Sequence, residues 1–406
     1  MQFYNKAIKE ITKRASSGAG AFPVVVVACI AFICFEALYG RLEAALNHVK
    51  SGINLVRAHR KTHGQPSSPW GQSYSSFQSS FLETELAPTL STINTSIREF
   101  SQIDVHFPLN PLDDEGIPMF GQYFRTLPEA GVALLDLHNA GLKLFQSSMG
   151  VYQFDENETT TTVYIDRVQC AVTLWGINFE ALVEQNQTRW TEEEKHAIES
   201  LRLTWLTMKI GVFAGGNADD TWDEHLYDFK EAVRIATFLI PAEHAEHDPK
   251  LYLQAFSYER SLIDPLTTIA FKCRWPRVRR QALDLLLRIR QREYFFDATH
   301  THIVLSRIME MEEASLNLPP GVIPPDELLP PADARIHYFT VTAQPVLGSD
   351  VYGVTFLKRD NGNSSAWHFH RENIRLPAID ADNTTPRLRQ VVSTSSGDLF
   401  GHSLVA

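Results

Sequence analysis

Residues Phe22 to Gly40 read FPVVVVACIAFICFEALYG, and Glu36 is the single charged residue among them. Four basic residues precede the run: Lys6, Lys9, Lys13 and Arg14. A membrane-spanning helix needs about 20 consecutive apolar residues, whereas this run has 14 before Glu36. A secretory signal would end at a cleavage site of the A-x-A kind, and none follows cleanly. The length of the run therefore favours a buried core helix.

The next segment has the pattern of an amphipathic helix. Apolar residues recur at spacings of three and four, which places them on one helical face: Leu42, Leu46, Val49, Ile53 and Val56. We expect the opposite face to carry charged residues into solvent: Arg41, Glu43, Lys50, Arg57 and Arg60. A helix that is apolar all round, followed by an amphipathic one, predicts a buried helix covered by a surface helix.

The composition is that of a globular chain. Its 406 residues are 44% hydrophobic and 21% charged, enough for one large domain or two ordinary ones. The net charge of −11 argues against a chain that binds nucleic acid over its whole surface, because such chains are normally basic. The four cysteines form no C-x-x-C pair, which indicates a reducing compartment.

Helical periodicity continues through most of the chain. It predicts helices over Leu82–Phe100, Leu127–Gln146, Thr162–Glu184, Thr191–Ile210, Trp222–Leu239, His244–Glu259 and Pro276–Arg292, and a last one through Val304, Ile308 and Met311. Thr191 and Glu194 have the spacing of a capping box, in which the two residues satisfy each other's free N–H groups at a helix start.

The chain changes character near residue 316. A proline-rich connector covers 317–334, and β-branched and aromatic runs then predict a small sheet over 335–373, with the turn sequence DNGN inside it. We expect a helical domain over 1–316 with a flexible insertion at 62–80, the sheet packed on that domain, and a loose tail at 374–406. The fold class is mainly α: an irregular multi-helix bundle or helix-pair array with a small C-terminal antiparallel hairpin or meander.

One pattern in the predicted sheet could hold a metal. His368, His370 and Glu372 alternate along a strand, so all three share one face, and two histidines with a carboxylate can hold iron or another divalent ion. In the alternative interpretation, Trp367 and Phe369 face the core and the polar residues face water. We favour the alternative because alternation of this kind is ordinary in a strand with one buried face.

Other chemical motifs are weak. His244 and His247 lie three residues apart without the H-E-x-x-H pattern, and His300 and His302 have no third ligand nearby in sequence. The sequence contains no nucleophile elbow and no phosphate-binding glycine loop. We therefore assign no catalytic, cofactor-binding or metal-binding residue and no cofactor, and we predict that the chain is not an enzyme.

The segment KCRWPRVRRQALDLLLRIRQRE is the densest run of positive charge. We expect its apolar residues to form a buried stripe: Val278, Ala282, Leu285, Leu286 and Ile289. The basic residues would then occupy the solvated side: Lys272, Arg274, Arg277, Arg279, Arg280, Arg288, Arg290 and Arg292. A surface that binds phosphates or an acidic partner is the alternative.

Three stretches together resemble the helical regulatory region of fungal binuclear-zinc-cluster transcription factors. They are YNKAIKEI, then VVVVACIAFICFEALYGRLEAALNHVKSGINLVRAH, then CRWPRVRRQALDLLLRIRQREYFFDA with the later IMEMEE. The second contains the junction F-E-x-x-x-G at Phe35 to Gly40 and the pattern H-x-x-x-G-x-x-L at His48 to Leu55. The third has an arginine-led helix followed by an R-E-aromatic turn.

The resemblance implies a nuclear, non-catalytic regulator of transcription. It would act through protein partners of the transcription machinery or a dimer partner, and could respond to an unidentified small-molecule effector. The DNA-binding module of that family holds two zinc ions with six cysteines, whereas this sequence has four isolated ones. We therefore expect no sequence-specific DNA binding by this chain and no membrane contact. It would be either part of a longer regulator or a regulatory domain that acts alone.

Two alternatives from other classes stay open. The first is a membrane-anchored or secreted protein that uses Phe22–Phe35 as its anchor, for which five N-x-S/T sequons would be suited: Asn94, Asn157, Asn186, Asn363 and Asn383. The second is a metal-dependent enzyme that uses His368, His370 and Glu372.

Overall fold

A computed structural model describes residues 22–38, 41–63, 77–98, 107–121, 123–148, 158–214, 221–240, 262–289, 292–293, 296–341, 351–360 and 363–376. They belong to two compact units. Unit 1 takes its described residues from Met1–Pro241, Phe256–Pro265 and Arg292–Phe296. Unit 2 takes its described residues from Ala242–Ala255, Leu266–Gln291 and Asp297–Ala406. The predicted segmentation at residues 316, 334 and 373 stays a prediction.

Unit 1 begins with a helical hairpin. Helix α1 (Phe22–Leu38) packs along α2 (Leu42–His63). The chain then forms α3 (Phe77–Phe81), a π-helical turn (Leu82–Leu86) and α4 (Ala87–Arg98). The apolar stripe of α2 is buried against these elements as predicted, with Val49, Ile53 and Val56 in the core. Thr62 and His63 end α2, and 64–76 of the predicted insertion lie outside the described residues.

Helix α1 is only partly covered. Its core side carries Val26, Cys29, Ile30 and Ile33, all buried. The other side exposes about half of the Val24 side chain and 39% of Phe35. The expectation of a helix buried all round is therefore wrong for one face, since α2 and the π-turn cover the other.

The second half of unit 1 is a set of longer helices. They are α5 (Leu127–Ser148), α6 (Glu158–Gln185), α7 (Glu192–Ala214), a 3-10 turn (Thr221–His225) and α8 (Leu226–Leu239). Helices α5, α6 and α7 pack on one another around Trp175, which is fully buried and stacks on Phe179 with ring centroids 4.6 Å apart. The predicted capping box is present, because Thr191 N–H donates to Glu194 and Glu194 N–H donates to the Thr191 hydroxyl.

Unit 2 combines helices with a small sheet. Its helices are α9 (Ile263–Lys272, from Leu266 onward in this unit), α10 (Pro276–Arg288) and α11 (Ala298–Glu313). Between α10 and α11 in sequence, the chain forms the short strands β1 (Arg292–Glu293) and β2 (Phe296–Asp297), whose residues Arg292 to Phe296 are assigned to unit 1. Helix α10 packs against α11. Short 3-10 turns (Ala314–Leu316 and Ala332–Ala334) precede the sheet.

The C-terminal sheet confirms the predicted meander. Strands β3 (Tyr338–Val341), β4 (Val351–Asp360) and β5 (Asn363–Arg375) are antiparallel in the order β3-β4-β5. The register pairs Phe356 with His370 and Val354 with Glu372. The fold class is therefore mostly helical with a small antiparallel sheet. Helix α9 was missed by the sequence pattern, and the predicted helix His244–Glu259 lies outside the described residues.

Candidate functional site

The strand histidines are not arranged as a metal centre. The Nε2 atom of His370 lies 2.8 Å from Glu372 Oε1, but both oxygens of Glu372 accept hydrogen bonds from Arg307 at 2.7 and 2.8 Å. These hydrogen bonds lower the pKa of Glu372 against the effect of its burial. Within the described part of the chain, no group of three or more histidine, cysteine or acidic residues could hold a metal ion.

The favoured interpretation, with Phe369 facing the core and Glu372 facing water, is wrong for both residues. Phe369 is 57% exposed rather than facing the core, and Glu372 is buried. Val354 and Phe356 on β4 share the buried face with Glu372, since they pair with it and with His370. The side chain of Trp367 lies outside the described residues. Glu372 is buried because it binds Arg307 of α11, a contact that the alternation of residues could not reveal.

Structural contacts account for three of the other candidate residues: His300, His302 and Cys29. His302 lies with Nδ1 3.0 Å from the Leu283 carbonyl oxygen, and His300 N–H donates to the capping side chain of Asp297. His244 and His247 lie outside the described residues. Cys29 is buried, and burial raises the pKa of its thiol, which makes it a poor nucleophile.

The arginine segment corrects a second expectation. The predicted stripe from Val278 to Ile289 is buried, but so are Arg274 and Arg279, at 1% and 0% exposure. Arg279 Nη1 donates to Glu312 Oε2 at 2.6 Å, and Arg274 Nη2 lies 3.8 Å from Glu312 Oε1. We call Arg274, Arg279 and Glu312 the unit 2 charge network. Only part of the arginine face is solvated, with Arg277 exposed.

Backbone groups complete this network. Glu312 Oε1 accepts the N–H of Ile336 at 2.7 Å, and Arg279 Nε donates to the Ala270 carbonyl oxygen at 2.8 Å. Burial acts to raise the pKa of Glu312, but the charges of Arg279 and Arg274 outweigh it and the pKa lies below its ordinary value. Through Arg279 and Glu312 together, the network therefore connects α9, α10, α11 and the segment that leads into β3.

Unit 1 also contains a buried ion pair, formed by Arg60 and Glu83. Arg60 was expected on the solvated face of α2, but it is buried and donates to Glu83 through Nη2 at 2.7 Å and Nε at 3.1 Å. Its Nη1 donates to the Pro108 carbonyl oxygen at 3.0 Å, and its guanidinium lies over the ring of Phe107. Paired burial of this kind is what allows a charged group to leave water.

A second buried carboxylate lies near this pair. Asp136 of α5 accepts hydrogen bonds from the N–H groups of Leu109 and Asn110 at 2.7 to 3.1 Å, and one from the Asn110 amide at 2.9 Å. Burial raises the pKa of Asp136 to about 6, although these hydrogen bonds and the charge of Arg60 oppose the shift. We call Arg60, Glu83 and Asp136 the unit 1 charge network.

The contacts in both networks indicate a structural role. Each carboxylate is engaged by a guanidinium group or by backbone N–H donors, and each connects segments far apart in sequence. A raised pKa can mark a general acid or base, but the donors around Asp136 hold the loop at Leu109 and Asn110 to α5. The networks therefore fix the helical scaffold.

The structure bears on two features of the anchored or secreted alternative: the proposed anchor helix and the N-x-S/T sequons. Across the described residues, the helices are too short or too polar to cross a membrane. Of the five sequons, Asn94 is buried inside unit 1 and Asn186 donates to the Leu182 carbonyl oxygen. A glycan on Asn94 would require that part of the core to open. Asn157 and Asn383 lie outside the described residues.

Comparison with known proteins points to one class, the fungal transcription regulators. The chain is similar to the aspercryptin biosynthesis cluster-specific transcription regulator of Emericella nidulans, with 25% identity over 253 residues. The match covers 59% of this chain and 39% of the length of that curated relative. No family model matches the sequence, and no solved structure matches it. The chain thus contains a region that resembles part of a fungal transcription regulator.

Proposed function

We propose that the chain is a non-catalytic regulatory region that controls transcription in the nucleus through contacts with other proteins. The observation that carries the proposal is its similarity to a cluster-specific transcription regulator over 59% of the chain. The helical architecture and the internally paired charge networks agree with a scaffold for protein contacts.

A tethering assay tests this proposal. The chain is fused to a heterologous DNA-binding domain in a fungal host, and transcription is measured from a reporter with intermediate basal activity, so that activation and repression are both visible. We expect a change of at least about threefold relative to the DNA-binding domain alone. An unchanged reporter, at equal protein abundance, would overturn the proposal.

The same proposal includes the absence of a DNA-reading activity in this chain. Sequence-specific readout needs side chains placed in the grooves by a dedicated module, and the proposed route to DNA is another protein or another part of a longer chain. In a gel-shift titration against a random DNA library, we expect only weak binding that disappears at higher salt. A salt-resistant complex enriched for one sequence would contradict this.

A further inference from the structure

Helix α6 has one face in the core of unit 1 and an apolar face in solvent. The core face carries Trp175 and Phe179, both fully buried. The outer face exposes 43% of Val163, 46% of Leu174 and 63% of Ile177, and Cys170 is exposed between them. Spacings of seven, four and three residues place these side chains on one side of a helix. We call Val163, Cys170, Leu174 and Ile177 the α6 stripe.

The α6 stripe is carried by a helix with a fixed position. The indole N–H of Trp175 donates to the Ala130 carbonyl oxygen on α5 at 2.8 Å, and that of Trp205 on α7 donates to the Val172 carbonyl oxygen at 2.9 Å. At Gly176 a β-carbon would lie 2.4 Å from Cζ2 of Trp205, so α6 and α7 approach as closely as glycine permits. Asp166 and Arg167 lie between Val163 and Cys170 and are exposed, so the stripe is uninterrupted only from Cys170 to Ile177. An exposed apolar surface on such a rigid element is a candidate protein-binding site.

The charged groups around the stripe are mainly acidic. Arg167 binds Asp113 at 2.7 Å and Glu115 at 2.6 Å, and Arg202 binds Glu180 and Glu199, each at 2.5 Å. Both guanidinium groups are therefore neutralised by two carboxylates each. Asp166 adds an exposed carboxylate on the stripe side of α6. We call these groups the acidic rim: Asp113, Glu115, Asp166, Glu180 and Glu199, with Arg167 and Arg202. Lys143 Nζ lies 3.7 Å from the position of a β-carbon at Gly116, so the five carboxylates stand against three cations.

We propose that the α6 stripe binds an amphipathic helix of a partner protein whose apolar face is flanked by lysine and arginine. Apolar side chains spaced by three and four residues pack along such a helix, and an acidic rim attracts its cationic flanks. A second copy of this chain is disfavoured, because two stripes in contact would bring Asp166 and Glu180 of both copies together. The role of this site in regulation rests on the proposed function, whereas the prediction that it binds such a helix does not.

Binding with purified components tests the proposal. The probe is a helical peptide of about 18 residues with leucines at alternating spacings of three and four and lysines on the flanks, and the control peptide has glutamate in place of lysine. By fluorescence anisotropy we expect the lysine peptide to bind at least about tenfold more tightly, and to weaken as salt screens the rim. Equal affinity for the two peptides would overturn the charge argument.

Variants locate the site. We expect L174E combined with I177E to weaken binding of the lysine peptide at least about tenfold, because the apolar contact is lost. Tyr227→Glu combined with Phe238→Glu, at side chains 86% and 52% exposed on α8, adds the same two charges elsewhere in unit 1 and should leave the affinity unchanged. Leu174→Ser with Ile177→Ser removes the stripe without adding charge, and circular dichroism checks the fold. Unchanged binding by a folded double variant would overturn the proposal.

Cys170 provides a direct position marker. In a Cys34→Ala background, where Cys29 and Cys273 are buried, a photo-crosslinker on Cys170 should join the lysine peptide. Crosslinks to a second copy, with a dimer in sedimentation equilibrium that L174E and I177E abolish, would overturn the proposal in favour of self-association. A failure of peptide binding leaves the tethering result intact, so failure of this inference is distinguishable from failure of the proposed function.

Discussion

The two buried charge networks differ in sign: carboxylates outnumber guanidinium groups in unit 1, and guanidinium groups outnumber carboxylates in unit 2. The unit 1 charge network has one guanidinium group, Arg60, for two carboxylates, Glu83 and Asp136. The unit 2 charge network has two guanidinium groups, Arg274 and Arg279, around Glu312 alone. An excess carboxylate can take up a proton near neutral pH, whereas arginine does not release one in a protein. The two units should therefore respond differently to mutation and to pH.

The pKa shifts of Asp136 and Glu312 have opposite directions because the two carboxyls have different numbers of guanidinium neighbours. Burial raises the pKa of Asp136 to about 6. Glu312 is equally buried, but its two guanidinium neighbours hold its pKa below the ordinary value. Because unfolding exposes both carboxyls to water, each shift is a contribution to stability that depends on pH. Hydrogen exchange read by mass spectrometry resolves the two units, since it reports opening segment by segment.

The largest expected effect is at Glu312. Glu312→Gln keeps the shape and an acceptor for Ile336 N–H, but it leaves two buried guanidinium groups without a counter-charge. We expect the free energy of opening of α10 and α11 to fall by about 4 kcal/mol, measured by hydrogen exchange. The matched control is Glu313→Gln, whose partner Arg280 is partly exposed, and it should cost below about 1 kcal/mol. Equal losses for the two variants would contradict the account.

Arg60 gives the corresponding test in unit 1. Arg60→Met keeps the apolar stem and leaves Glu83 buried without its guanidinium, so we expect a loss of about 3 kcal/mol in unit 1. The loss should be smaller than for Glu312→Gln because Arg60→Met leaves one buried charge without its partner, whereas Glu312→Gln leaves two. Arg57→Met, one turn earlier and exposed, is the control and should be near neutral. A loss for Arg60→Met as large as that for Glu312→Gln would contradict this ranking.

The next prediction concerns the pH dependence of stability, which should differ between the two units. Asp136 has a folded pKa of about 6 and an ordinary value of 3.8, so the folded state holds the proton more tightly and stability falls as pH rises between these values. We expect unit 1 to lose about 2 kcal/mol between pH 4.5 and pH 7 from this group. The change is read as the difference between wild type and Asp136→Asn, which should lack it. Exchange in α10 and α11 should show no difference between these proteins.

The smallest expected effect in unit 2 is at Arg307, the partly exposed partner of the buried Glu372. Arg307→Met should cost about 1 kcal/mol or less, because 29% of the Arg307 side chain is exposed and Glu372 keeps its contact with His370. Arg234→Met, which removes the surface partner of Glu231 in unit 1, should be close to neutral and serves as the reference. A loss at Arg307 as large as that at Glu312 would show that burial does not set the ranking.

Local patterns in the sequence predicted what local physics determines. The capping box at Thr191 depends on residues three apart, and the stripe of α2 depends on helical periodicity alone. The antiparallel meander followed from β-branched runs around a turn. These features need no knowledge of what packs against them.

The buried charges depend on partners far along the chain, so Arg60, Arg274 and Arg279 were assigned to solvent because they are charged. A signal was nevertheless present. Arg60 lies four residues after Val56, and so on the buried stripe of α2, and Arg279 lies three residues before the buried Ala282. A charged residue at an apolar stripe position indicates a buried ion pair, but it does not name the carboxylate. Glu83, in the π-turn, could be identified as a partner only from the fold.

The central claim is that this chain regulates transcription through protein contacts on a helical scaffold. Its most direct test compares wild type with L174E combined with I177E in the tethered reporter at matched protein abundance. The account predicts a change of at least about threefold for the wild type and a smaller one for the double variant. A reporter that neither protein changes would contradict the regulatory function, whereas equal changes by both would contradict only the role of the α6 stripe.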